Sequence, residues 1–193
     1  MTVKEFQCIM PIRNIPSAME HGIVSHDLAE RLDHVSVALE KVQDQRAGKH
    51  IPGGGKLHSY ANIYFHARNP MMSRRRDQAE HLCVLRVKTE VLSIPGTVIT
   101  DQNAASRYVK FLPPSALSML DLNYIYAEDW KHPDDQIADW KHSSAKCAEV
   151  LVPERVPFDY IDGAYTVNKS SLAKLREIGF TLPITIEPDM FFR

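Results

Sequence analysis

Two polar side chains stand in apolar, strand-like surroundings: Arg68 in YFHARNPMM and Glu149 in KCAEVLVPERVP. An arginine just after a strand, held by a turn at Pro70, presents a planar fork of donors to a phosphate or a carboxylate. A glutamate on a buried ribbon sits at a rim, is paired, or does chemistry, because an unpaired buried carboxylate is costly. In the last case it suits a sugar hydroxyl or a developing cation. If the two strand ends meet in space, they combine an anion clamp with a carboxylate. The plainer alternative for Glu149 is an edge position satisfied by a nearby Lys or Arg, a pairing of small energetic consequence.

The elements that must position them are legible from pattern. Strand alternation places Ala148, Val150 and Val152 on one face and Cys147, Glu149 and Leu151 on the other. VKEFQCIM reads as a first strand, followed by a helix from Ile15 to His21 with Asn14 as its cap and Gly22 as its stop. LAERLDHVSVALEKVQ has helical spacing, whereas Pro52-Gly53-Gly54-Gly55 cannot hold regular structure and is either a mobile loop or a simple connector. ANIYF, LCVLRV and GTVIT read as strands, with a short helical turn around Glu90 to Leu92. DQNAASRYVKF is predicted as a helix, Pro113 to Lys146 as a loop-and-helix region, GAYTV as a further strand and NKSSLAKLREIGF as the last helix. This is an α+β pattern without the regular strand–helix alternation of a doubly wound sheet, and the 193 residues fit one domain.

Composition removes several function classes. The net charge of −1 means that affinity for phosphates must come from a local patch, for which Arg74-Arg75-Arg76 is the candidate and a solvated turn the alternative. Three scattered cysteines, Cys8, Cys83 and Cys147, suit neither a disulfide framework nor a CxxC metal site and read as small buried apolar residues. Nine histidines include no ligand-spaced pair, so no metal is expected. There is no P-loop, GxGxxG, HExxH or GxSxG motif. No apolar run reaches membrane-span length and the N-terminus has no secretory pattern, so no membrane contact and a cytoplasmic location are expected. DWKH occurs twice, at Asp129–His132 and Asp139–His142, too short a unit for a repeat architecture.

Four blocks in order, IRNIPSAMEHGIVSH, LHSYANIYFHARNPMM, ITDQNAAS and KCAEVLVPERVPFDYI, resemble the DarT family, the toxins of DarT–DarG toxin–antitoxin systems, over nearly the whole chain. The resemblance implies an ADP-ribosyltransferase-like fold, with central split mixed or antiparallel sheets and flanking helices. It implies transfer of ADP-ribose from NAD, as co-substrate, to thymine or guanine in single-stranded DNA, with phage defence as one setting. A macrodomain-type or other ADP-ribosylglycohydrolase-type antitoxin is the implied partner. Arg68 and Glu149 fall on the catalytic positions. Arg68 then orients the pyrophosphate or helps remove the proton from the attacking base; arginine is a poor base, so orientation is favoured.

The resemblance further assigns Pro52 to Pro70 to NAD binding, with Cys8, Ile9, Met10, Ser17, Ser25, Tyr64 and Arg68 as contacts. Tyr64 either stacks on nicotinamide or packs in the core. The family opens with a motif like YHITH where this chain reads QCIMP, so Cys8, Ile9 and Met10 occupy the His-Ile-Thr run and the strand backbone is left to hold the nicotinamide amide. The stretch from Tyr108 to Glu149 matches the substrate-recognition element. Arg74, Arg75, Arg76, Tyr124, Tyr126, Trp130 and Arg155 are the expected DNA contacts, and Trp140 is also available. The competing readings are transfer to RNA or protein, an NAD glycohydrolase, and a non-catalytic NAD- or nucleic-acid-binding module.

Overall fold

The computed structural model describes residues 2–36 and 40–193, without the side chains of residues 40–42. In chain order the elements are β1 (Phe6–Pro11), α1 (Ile15–His21), β2 (Ile23–Val24), α2 (His26–Ala29), α3 (Glu40–Ala47), β3 (Tyr60–Tyr64) and α4 (Pro70–Arg74). They continue with β4 (Leu82–Val87), β5 (Val98–Thr100), β6 (Phe111–Leu112), α5 (Leu122–Tyr126), α6 (Gln136–Ala145) and β7 (Glu149–Pro153). The chain closes with β8 (Arg155–Val156), β9 (Ile161–Thr166), α7 (Lys169–Glu177) and β10 (Ile184–Ile186).

Eight strands form one mixed sheet in the order β10-β9-β4-β1-β3-β7-β5-β6, and β2 pairs with β8 in a separate ribbon. All neighbours are antiparallel except β10 and β9. The sheet is split at its centre. β1 joins β4 through six residue pairs, but its only ladder partner on the β3 side is Gln7 opposite Tyr64. Past that rung the two strands diverge, and the wedge between them opens a cavity.

Apolar alternation builds the core on both faces. Phe6, Ile63, Phe65, Leu85, Val150 and Val152 pack with Ile15 on one side, and Ile9, Val84 and Met72 pack with Met190 and Phe191 on the other. Local signals set the ends of the helices. Asn69, Asp121, Asp135 and Asn168 cap α4, α5, α6 and α7 through their side chains. Gly22 ends α1 at φ 81°, where a Cβ would stand 2.2 Å from the Val156 carbonyl, so only glycine lets the helix meet β8.

Three expectations are revised. Asn14 precedes α1 but makes no cap bond; its amide instead holds Val35, accepting from the Val35 N–H at 3.0 Å and donating to its carbonyl at 2.8 Å. That grip breaks the long helix expected from Leu28 to Gln43 into α2 and α3; its middle, residues 37–39, lies outside the described residues. Residues 101–110 form turns, because Asp101, Asn103 and Ser106 side chains take the Lys110, Ala105 and Tyr108 amides in place of helical partners. The two DWKH copies touch: His132 Nε2 lies 2.9 Å from His142 Nδ1. Among the described residues no helix is long and apolar enough to cross a membrane.

Candidate active site

Glu149 opens β7 opposite Tyr64 and is 1 % exposed, on the face away from Val150 and Val152, as alternation requires. Its carboxylate faces a cavity of about 810 Å³ in the wedge of the split sheet. The wall takes Cys8, Ile9 and Met10 from β1, Asn62 and Tyr64 from β3, and Ser143 and Ser144 from α6. Ser17 and Ala18 of α1, residues from His26 to Ser36, and Gln43, Gln45 and Arg46 line the rest of it.

The carboxylate is held on two sides. Arg46 Nη1 donates to Glu149 Oε1 at 3.1 Å and to Oε2 at 3.0 Å, and the Ala104 N–H donates to Oε1 at 2.9 Å. The Glu149 N–H donates to Thr100 Oγ1 at 2.9 Å, fixing the backbone beneath the side chain. Lys49, just beyond the end of α3, donates to the carbonyls of Ala104 and Ser106, so Arg46 and Lys49 together grip the glutamate and the loop that supports it. Burial, with the Arg46 charge second, lowers the Lys49 pKa. Burial, and after it the Glu149 charge, raises the Tyr64 phenol well above its ordinary value, so it stays a protonated donor beside the carboxylate.

Arg46 is the arginine that meets Glu149, and the sequence reading missed it. Arg68 lies elsewhere: its Nε donates to the Asp189 carbonyl at 2.9 Å, its Nη1 to the Glu128 carbonyl at 2.8 Å, and its guanidinium covers the Phe192 ring at 4.4 Å. It does not line the cavity. The turn after β3 explains this, since Gln7 Oε1 takes the Ala67 N–H and Asn69 caps α4, which delivers Arg68 to the C-terminal segment. Arg68 is therefore placed as a fastener of the backbone at residues 128 and 189.

Of the other expected contacts, Cys8, Ile9, Met10, Ser17, Tyr64 and Arg74 line the cavity. Ser25 does not; it is buried and its hydroxyl caps α2 by accepting from the Leu28 N–H. Arg75 lines a separate groove of about 580 Å³ with Arg13 and Lys174, Arg76 is exposed, and Arg155 on β8 reaches the His21 carbonyl. Tyr124 stacks on His142 at 3.7 Å, Tyr126 packs on His66 at 5.3 Å, and Trp130 is 6 % exposed against Phe192. None of these three rings lines the cavity. All three cysteines are buried, and burial pushes the Cys8 and Cys147 thiols up to about 12 and the Cys83 thiol higher, which keeps them protonated. Among the described residues no cluster of three metal-ligating side chains occurs.

A basic nest lies behind the site. Lys146 is fully buried, donates to the Ala127 carbonyl at 2.7 Å, and sits 3.4 Å from His66 Nδ1 and 5.6 Å from the Trp130 ring centre. Burial, then the Lys146 and Arg68 charges, lower the His66 pKa to about 4, below its ordinary 6.5. The unfolded chain therefore takes up a proton between pH 6.5 and pH 4 that the folded chain refuses, and stability falls as pH falls through that window. Thermal midpoints measured from pH 7 to pH 4 are expected to drop, with a loss on the order of 2 kcal/mol from this residue. His66→Gln should flatten the slope; an unchanged slope assigns the acid loss to other groups.

In this fold a split α+β sheet closes on a buried, doubly held glutamate. The chain belongs to the DarT family, whose description is ssDNA thymidine ADP-ribosyltransferase, with residues 8–192 matched. It is 29% identical over 199 residues to a DNA ADP-ribosyl transferase–DNA ADP-ribosyl glycohydrolase fusion protein of Thermosipho africanus, covering 98% of this chain and 50% of that protein. The Thermosipho africanus DarTG structure in complex with ADP-ribose superposes with a TM-score of 0.86 at 27% identity, over 98% of this chain and 51% of that one. The present chain thus spans about half the length of that relative. Thermus sp. 2.9 DarT in complex with ADP-ribosylated ssDNA shares the fold at a TM-score of 0.84 and 21% identity, over 98% of this chain and 96% of that one. The same Thermus protein has been solved in complex with NAD+, with a TM-score of 0.81, 21% identity, and coverage of 99% of this chain and 98% of that one.

Proposed function

We propose that this chain transfers ADP-ribose from NAD to a base of single-stranded DNA, releasing nicotinamide, and acts as the toxin of a toxin–antitoxin pair. The observation that carries this reading is the Glu149 carboxylate, fixed by Arg46 and the Ala104 N–H at the wall of a cavity large enough for a dinucleotide. The cavity fits NAD in kind as well as in size. Hydroxyl and amide groups of Ser17, Asn14 and Asn62 line it, Arg74 supplies a cation for phosphate, and the Gln43 Oε1 atom on its wall is buried without a partner among the described residues.

In this reading Glu149 accepts hydrogen bonds from the ribose hydroxyls and faces the positive charge that grows on the anomeric carbon and ring oxygen as the bond to nicotinamide breaks. That charge exists only in the transition state, so the contact lowers the barrier more than it strengthens binding. Arg46 holds the carboxylate in place and aimed. The edge of β1 from Cys8 to Met10 offers peptide groups to the nicotinamide amide. A base nitrogen then bonds to the anomeric carbon as nicotinamide leaves, and its proton passes to water, with thymine, named in the family's description, and guanine as the two acceptors to compare. A single strand suits this chemistry because its bases need little work to unstack.

The fusion partner named in the Thermosipho relative supports a glycohydrolase-type antitoxin. A DNA substrate and three free, buried cysteines support a cytoplasmic location. Mass spectrometry of short oligonucleotides incubated with NAD tests the proposal: thymine-only or guanine-containing strands should gain ADP-ribose in step with nicotinamide release. NAD consumed with no adduct on either strand supports the glycohydrolase reading instead, and NAD left intact supports a binding module.

A further inference from the structure

The two tryptophans of the chain occupy equivalent places in the two DWKH copies, yet the fold treats them oppositely. Trp130 is buried between Phe192 and Lys146, whereas Trp140 is 63 % exposed on α6. α6 has a buried face to offer, since His142 and Ala145 are both sequestered. Trp140 is not on it. Together with Ser143, Ser144 and Cys147, at i+3, i+4 and i+7, Trp140 forms the face that lines the cavity, and that face leads directly to Glu149. The indole stands at the outer end of this row, roughly 10 Å along the helix axis from Cys147.

The neighbouring lip has the same character. The loop after β5 is tied to α6 by the Asn103 N–H donating to the Ser144 carbonyl at 2.9 Å, and its Ala105 and Ser106 line the cavity. Two residues further on, Tyr108 is 77 % exposed with the Arg107 guanidinium 6.0 Å from its ring centre. Among the tyrosines and tryptophans from Tyr108 to Glu149, these two alone are largely open to solvent; Tyr124, Tyr126 and Trp130 are stacked or buried.

We infer that Trp140 is a stacking platform for a nucleobase of the single strand, seating the nucleotide beside the one that is modified, with Tyr108 and Arg107 continuing the track along the second lip. This inference rests on the proposed function and deepens it by naming what reads the strand. An exposed ring at the mouth of a reaction cavity offers a π-face that every base can use, and an adjacent guanidinium serves the phosphate. Trp140 stands apart from the carboxylate machinery, so it acts on capture of the strand and leaves the breaking of the nicotinamide bond to Glu149.

The test uses the presence of only two tryptophans. In Trp130→Phe, Trp140 is the sole indole emitter; where the buried position tolerates no substitution, the wild-type signal minus that of Trp140→Phe gives the same reading. Titration with a thymine-rich oligonucleotide should quench this emission saturably. In transfer assays Trp140→Ala should raise the KM for the oligonucleotide roughly 10- to 100-fold with kcat changed only a few-fold, and Trp140→Phe should restore most of the loss. NAD hydrolysis without DNA is measured on both variants, and a loss there that matches the loss of transfer would place the ring against NAD and overturn the inference. Wild-type KM in Trp140→Ala, or emission indifferent to saturating oligonucleotide, overturns the inference. Since wild-type transfer is measured in the same assay, an enzyme that modifies the strand while Trp140→Ala behaves normally loses only this inference. A wild-type protein that never modifies the strand brings down the underlying function instead.

Discussion

Glu149→Gln is expected to lower kcat for nicotinamide release and DNA modification by about 10³-fold while leaving the affinity for NAD within a few-fold. The amide keeps the shape of the side chain and one acceptor for Arg46 Nη1 and the Ala104 N–H, so the cavity wall should persist, at a stability lowered by about 3–5 kcal/mol because the buried Arg46 loses its counter-charge. What disappears is the negative charge facing the ribose. Because that charge matters only as positive charge develops, kcat and kcat/KM should fall together. Circular dichroism checks the fold, calorimetry with NAD checks the ground state, and single-turnover nicotinamide release checks the chemistry. A variant with near-normal turnover removes Glu149 from the mechanism. In cells the same substitution should make expression tolerable without an antitoxin.

The second large effect separates two arginines. Arg46→Ala leaves a carboxylate that is 1 % exposed without its counter-charge, which should destabilise the fold by about 3–5 kcal/mol and lower transfer by two orders of magnitude or more. Arg46→Lys should recover most of the stability, since the contacts to Glu149 come from the single nitrogen Nη1 and an ammonium can replace them. Arg68→Ala should do the reverse. It releases the Glu128 and Asp189 carbonyls and costs about 1–3 kcal/mol of stability, while transfer by the folded fraction stays within a few-fold. Chemical denaturation and kcat measured on all three variants decide the matter. An inactive but fully stable Arg68→Ala beside an active Arg46→Ala returns the catalytic role to Arg68.

The contrast between these arginines shows what the sequence made visible. Glu149 stood out because a charge interrupts an alternating apolar run, and period-2 alternation is a property of the chain alone. The strands β1, β3, β4 and β7 and the helix α1 stopped by Gly22 were legible for the same reason. Arg46 lies in EKVQDQRA, a helix with no apolar stripe, so nothing local marks its guanidinium as buried. Its burial is created by Glu149, 103 residues away. Arg68 carried a strong local signal, an arginine between a strand and a proline turn, and in the structure that turn serves the cap at Asn69 and the fastening of Glu128, away from the cavity. The segment 101–110 misled in a similar manner: its spacing suits a helix, but its own short polar side chains capture the amides first. The two DWKH copies mark the limit most plainly, because one tetrapeptide yields a buried indole and an exposed one according to what packs above it.

The single rung between Gln7 and Tyr64 has a bearing on which residues this site can spare. A crevasse between two strands is rimmed by peptide groups, and peptide groups are the same under every side chain. In the proposed function the nicotinamide amide meets main chain along β1, which leaves the side chains at positions 8 to 10 to serve packing, as Cys8 and Ile9 do on opposite faces of the sheet. Glu149 has no such freedom, since nothing in a backbone can stand in for its charge. On that reading the unzipped sheet divides the pocket into a tolerant bank and an intolerant one, with QCIMP, where the family carries histidine and threonine, on the tolerant side.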